Sequence, residues 1–398
     1  MTSVASTWHQ PMTGRDPDEA HRAATPLELL FDLCFVVAVS QASLLLHEGL
    51  AHGDGLRAVL GFLFVFFAIW WPWVNFTWFS SAYDTDDVVF RVLTFVQIAG
   101  VLVVAAGIRE LMTTLEHAPV VVVGYVIMRI SLVLLWLRVA REDPGGRPVA
   151  LRYALGIAVV QLLWVVRLAF EGPVGLGLLL VLAMFEMAIP AWAERGGRPT
   201  PFHPAHVSER YRLFTIIVLG ECVLSAFTAV QAAFAEAGAS VPLGAVAVGG
   251  LLLVFSLWWA YFKAPTDIDR GMRLRQTFTW GYGHYVVFAS VAAVGAGLQL
   301  VADSTLHHPE AIGPIETALT VAIPAAIYML AIGVLHHHAA FLSHAAPYVA
   351  MTVALIVAAI AAGAIGAAYS VLVMGVIATV FVGRSVVDTH RRAVLEMG

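Results

Sequence analysis

The chain has 398 residues, 60% of them hydrophobic and 12% charged, with a mean hydropathy of +0.83 and a net charge of −5. Soluble domains carry about 25% charged residues, so this composition excludes a soluble globular protein and predicts an all-α integral membrane protein. The two cysteines, Cys34 and Cys222, lie inside apolar runs and exclude a disulfide scaffold.

Residues 1–26 form a polar N-terminal segment with an acidic patch, Asp16, Asp18 and Glu19. They lack the basic-then-apolar layout of a cleaved signal. The first helix is therefore expected to act as its own insertion signal, and residues 1–20 to be disordered. Apolar runs follow at 27–46, 56–79, 88–108, 118–140, 149–170, 174–193, 211–234, 241–262, 278–301 and 314–338. The last apolar region, 346–382, exceeds the roughly 20 residues one crossing needs. It is expected to break near Gly363–Gly366, which gives about 12 transmembrane helices. No run alternates with period two, which excludes a membrane β-barrel.

Lys and Arg count orients the chain. Placing the N-terminus in the cytoplasm puts 17 basic residues on that side and three, Arg57, Arg109 and Arg167, on the other. Both termini are thus expected to be cytoplasmic. An internal repeat is visible as well. Gly61-Phe-Leu-Phe-Val-Phe-Phe67-Ala-Ile-Trp70-Trp71 matches Gly249-Gly-Leu-Leu-Leu-Val-Phe255-Ser-Leu-Trp258-Trp259 at five of 11 positions, and each run leads to an Asp-x-Asp, Asp84–Asp86 and Asp267–Asp269. The reading is two parallel six-helix repeats, 27–193 and 211–382. A Gly-, Pro- and Arg-rich cytoplasmic linker, 194–210, joins them, and 383–398 form a cytoplasmic tail.

Charge within a span costs about 2.5–3.5 kcal/mol per residue on insertion scales, so it marks function or a deliberate tie. Glu28 and Asp32, at i and i+4, share a helix face with Thr25, Ser40, Ser43 and His47 within about 120° of arc. This stripe can line a cation or proton path. Equally, Thr25, Pro26 and Glu28 can form an N-terminal cap. Glu221 lies about ten residues into its run, roughly 15 Å deep, with Ser225, Thr228 and Gln231 continuing its face. Arg129 and Glu186 are the other mid-span charges; Arg129 can pair with Glu186 or Glu221, leaving one carboxylate for a cation or proton. His284 can hydrogen-bond a carbonyl or shuttle a proton. His336, His337 and His338 point about 100° apart on a helix, which argues against a shared metal. Trp70 and Trp71 are expected to pack around a kink at Pro72 rather than join an interfacial belt.

Walker A, dinucleotide-binding, H-E-x-x-H and G-x-S-x-G signatures are absent. The reading is not an enzyme, with no cofactor, no metal and no nucleic-acid partner, in contact with membrane lipids.

Two stretches, Thr25-Pro-Leu-Glu28-Leu-Leu-Phe31-Asp32-Leu-Cys-Phe-Val and Glu209-Arg-Tyr-Arg-Leu-Phe214-Thr-Ile-Ile-Val-Leu-Gly220-Glu221, resemble the signature segments of the bacterial low-temperature-requirement protein A (LtrA) family. The similarity extends in layout over most of 20–390. It implies a multi-pass protein of the bacterial inner membrane, with Glu28, Phe31, Asp32, Glu209, Gly220 and Glu221 as key positions. Cys34 and Cys222 depart from the Val-like and Ser-like residues that the resemblance leads one to expect. A more distant analogy to endolysosomal potassium channels suggests ancestry rather than selectivity: Leu30-Phe31-Asp32 lacks their serine and Leu213-Phe214-Thr215 their aspartate. The functional expectation is a transporter or channel-like permease for a small cation or proton, with Asp32 and Glu221 in its path. The alternative is a non-transporting membrane protein, sensing or organising lipid, whose charges are structural.

Overall fold

In the computed structural model, the described residues are 8–17, 19, 22–114, 117–263, 268, 274–306, 312–337 and 341–397. Among them there are helices and no strand: α1 (Pro26–Ala51), α2 (Gly55–Tyr83), α3 (Val88–Thr114), α4 (Pro119–Glu142), α5 (Arg147–Arg167), α6 (Gly172–Ala193), α7 (Pro204–Ala237), α8 (Val241–Phe262), α9 (Leu274–Asp303), α10 (Pro314–His337), α11 (Phe341–Ile360), α12 (Ala362–Ile365) and α13 (Ala367–Met397). Twelve stretches among the described residues are long and apolar enough to cross a membrane, α11 and α12 counting as one, His344–Ile365. Proline stands in the first two positions of seven helices, for example Pro26, Pro119, Pro204 and Pro314. There its missing N–H costs nothing and its fixed φ suits the first turn. The break between the last two spans falls at Gly366, whose φ of +87° favours glycine.

Contacts divide the chain into two units, Met1–Ala42 with Leu63–Tyr211, and Ser43–Phe62 with Arg212–Gly398. Residues 43–62, which the sequence assigns to the first repeat, thus go with the second unit.

In the first unit α3 packs on α4, α4 on α5 and α5 on α6. Gly100 and Gly124 let α3 and α4 approach closely: a Cβ on Gly124 would lie 2.7 Å from the Gly100 carbonyl oxygen. Trp70, Trp71 and Trp73 are at most 1% exposed, on a helix assigned without a break through Pro72. They are core residues.

Residues 8–17 depart from the expected disorder. Gln10 N donates to Asp87 Oδ2 (2.8 Å), Met12 N to Glu142 Oε2 (2.7 Å) and Arg15 N to the Ala82 carbonyl (2.9 Å), and Met12 is fully buried. Their polar backbone finds acceptors at the ends of α2, α3 and α4, which local composition cannot reveal. Arg138 ties the same place together, donating to Asp87 and Glu142. Burial would raise the Asp87 pKa, but Arg138 and the N–H groups of Gln10 and Phe90 outweigh it and hold the carboxyl at about 2. Asp18 lies outside the described residues.

In the second unit α9 packs on α10, α10 on α11, and α13 on both α8 and α11. Gly249 of α8 admits the backbone of α13, a Cβ there meeting Leu372 Cα at 2.5 Å. Trp258 and Trp259, the counterparts of the buried Trp70 and Trp71, are 42% and 48% exposed. Asp267 and Asp269 lie outside the described residues, as do His338 and the His337 side chain.

Candidate functional site

The start of α1 is built by its first four residues. Thr25 N donates to Glu28 Oε2 (2.8 Å) and Glu28 N to Thr25 Oγ1 (3.2 Å), a reciprocal capping box that opens the helix at Pro26. Helix α7 is opened by His203, whose Nδ1 accepts from His206 N (3.1 Å), while Nε2–H donates to the Glu19 carbonyl (2.9 Å). Arg22 closes α2, donating to the carbonyls of Ser80 (2.6 Å) and Ser81 in its last turn. Burial lowers the Arg22 pKa.

These ends position a charge cluster that is buried completely. Arg210 donates through Nε to Asp32 Oδ2 (2.8 Å) and through Nη2 to Asp32 Oδ1 (2.5 Å), and its Nη1 lies 3.0 Å from Glu28 Oε1 and 3.3 Å from Ser80 Oγ. His206 Nε2 lies 3.1 Å from Glu28 Oε2, and Trp73 Nε1 donates to Asp32 Oδ1 (2.7 Å). Glu28, Asp32, His206 and Arg210 are each 0% exposed. Desolvating ions costs several kcal/mol apiece, and close multiple bonds of this kind offset it. Glu28 therefore acts both as cap and as ion-pair partner. Asp32 is fully buried and held by fixed donors from Arg210 and Trp73. Beside the cluster and outside the spans, Asp84 is pushed up to about 6, first by burial and next by the Glu28 charge.

Sequence reading missed Arg210 and His206, which it placed in the linker 194–210. Helix α7 begins at Pro204, seven residues before the apolar run. The overlooked signal was spacing: His206 and Arg210 stand at i and i+4, as do Glu28 and Asp32, so two basic residues on one helix face match two acidic residues on another.

A second buried pair lies between α4 and α6. Arg129 Nη2 donates to Glu186 Oε2 (2.6 Å), which also accepts from Trp71 Nε1 (2.5 Å), and both charged residues are 2% exposed. Of the two pairings open to Arg129, this is the one present.

Most of the remaining sequence-predicted residues have other partners. Glu221, 5% exposed, accepts from Ser225 Oγ (3.0 Å). No cationic side chain among the described residues lies within ion-pair distance of it. Farther along α7, Thr228 and Gln231 are exposed. His284 is fully buried and bonded at both nitrogens: Nδ1–H donates to the Trp280 carbonyl (2.8 Å) and Nε2 accepts from Tyr261 Oη (3.0 Å). Ser43 Oγ donates to the Ala292 carbonyl (2.6 Å), His47 Nε2 lies 2.7 Å from Asp303 Oδ2, and Ser40 is half-buried. The polar stripe of α1 is thus largely taken up by protein partners. Among the described residues no group of three or more His, Cys, Asp or Glu is placed to hold a metal ion. Cys34 and Cys222 are free thiols.

The chain is 26% identical over 326 residues to an uncharacterized protein of Rhizobium meliloti (strain 1021), an alignment that covers 78% of this chain and 76% of that protein. The model of the family described as bacterial low temperature requirement A protein (LtrA) matches residues 23–383, including both signature stretches and the buried charge cluster, and the chain belongs to that family.

Proposed function

We propose that this protein is a permease for a small cation or proton, with Glu221 as its exchanging carboxylate. One observation carries the reading: Glu221 is buried midway along an apolar helix with a serine hydroxyl as its neighbour and no cationic side chain among the described residues beside it. A carboxylate in such surroundings is stable only with a proton or a cation on it. Exposed Thr228 and Gln231 continue its helix towards the C-terminal end and offer polar steps to it. Asp32, by contrast, is neutralised by Arg210, so its role on this reading is to hold α1, α2 and α7 in register.

The Lys and Arg asymmetry supports a cytoplasmic-membrane protein with both termini inside. The shared Trp-Trp run supports two parallel repeats, as does the shared succession of neighbours, α3–α4–α5–α6 and α9–α10–α11–α13. A non-transporting role is the second reading, favoured by the two internal ion-pair sets around Arg210 and Arg129. Ion and proton flux into proteoliposomes, with thermal stability followed on the same samples, separates the two. A permease loses flux in Glu221→Gln at unchanged stability. A structural role predicts no flux from the wild type under any cation gradient.

A further inference from the structure

A cavity of about 70 Å3 lies within the first unit, bounded by α2, α3, α4, α5 and α6. Aromatic rings, those of Phe64, Phe67, Trp71, Tyr125 and Trp164, make up much of its wall, and Glu186 lies among them. Three polar groups of the wall are engaged within the protein. Tyr125 Oη donates to the Ala68 carbonyl (2.6 Å), Trp71 Nε1 to Glu186 Oε2, and Arg167 Nε to the Gly175 carbonyl (3.2 Å). Glu186 Oε1 is buried and accepts no hydrogen bond from any described residue.

We propose that this cavity binds a small neutral alcohol, its hydroxyl donating to Glu186 Oε1 and its apolar body lying against the aromatic wall. A buried acceptor left without a donor is costly, so a ligand hydroxyl meets a need the protein leaves open. The charges around the cavity select against other classes. Aromatic faces beside a carboxylate attract organic cations, but Arg129 already neutralises Glu186 and Arg167 adds a second positive charge to the wall. A ligand carboxylate would set acceptor against acceptor at Oε1. A water-sized site takes about 10–15 Å3 of such volume, so the cavity has room for several heavy atoms, and it is partly open.

The test is photolabelling of the full-length protein in nanodiscs with a five-carbon diazirine alcohol, adducts being mapped by mass spectrometry. The expected result is an adduct on Glu186 or Tyr125 that saturates, falls at least tenfold with excess pentanol, and disappears in a folded Ala183→Phe variant, which fills the cavity. Equal labelling by the same diazirine without the hydroxyl overturns the proposal, as does preferential labelling by the corresponding amine. A cavity that holds only water gives no saturable adduct, which also overturns it. Should Ala183→Phe fail to fold, the comparison of alcohol with hydroxyl-free probe decides alone.

Discussion

Arg210 grips Asp32 with two nitrogens, Nη2 at 2.5 Å from Oδ1 and Nε at 2.8 Å from Oδ2, and reaches Glu28 with a third. One guanidinium thus joins two carboxylates a helical turn apart. Removing it strands two buried negative charges. Arg210→Met is expected to cost about 3–5 kcal/mol, read as a large drop in thermal midpoint in detergent. The triple replacement Glu28→Gln, Asp32→Asn, Arg210→Met removes the charges together and is expected to recover much of that loss, because the three residues are coupled. Equal destabilisation by the single and triple variants would contradict the ion-pair account.

Asp84 gives stability a pH dependence of defined sign. Its pKa in the fold, about 6, lies above the ordinary 3.8. Between those values the folded chain holds a proton that the unfolded chain releases, so this contribution is full below pH 3.8 and lost as pH rises through 6. Asp84→Asn keeps an acceptor for the Asp86 N–H, which bonds Oδ1 at 2.8 Å, and carries no charge. It is expected to raise stability at pH 8 by on the order of 1–3 kcal/mol and to flatten the thermal midpoint between pH 4 and 6. Asp87, held at about 2, acts in the opposite sense and only in more acidic solution. A variant less stable than wild type at pH 8 would show that the Asp84 charge is needed.

Close helix packing gives a third prediction. A Cβ on Gly124 would meet backbone atoms of α3 at 2.7 and 2.8 Å, whereas one on Gly177 of α6 meets nothing within 4 Å. Gly124→Ala is expected to cost about 1–3 kcal/mol, since backbone cannot yield as a side chain does. Gly177→Ala is expected to be neutral or slightly stabilising, by less than about 1 kcal/mol. Thermal midpoints of the two variants, measured side by side, check the contrast.

The sequence made the helices legible because apolar runs of span length, set off by prolines, leave few alternatives; even the last division, at Gly366, was visible as a glycine-rich gap. Charges buried in the spans were legible too, since any ionisable residue there stands out. Partnership was harder to read. Arg129 faced two carboxylates and the sequence could not choose between them. Arg210 and His206 were overlooked because hydropathy starts a helix where apolar residues begin, whereas α7 starts earlier with polar turns satisfied by α1 and α2. The order of residues 8–17 was missed for a related reason: their partners, Asp87, Ala82 and Glu142, are distant in sequence.

On the permease reading Glu221, isolated from every cationic side chain among the described residues, exchanges a cation or proton across the membrane. Flux into proteoliposomes, comparing wild type with Glu221→Gln, tests it most directly. The account predicts flux from the wild type under at least one cation or proton gradient, and its loss in a variant whose thermal midpoint is unchanged. Wild-type flux that survives in Glu221→Gln, or no wild-type flux under any such gradient, would contradict it.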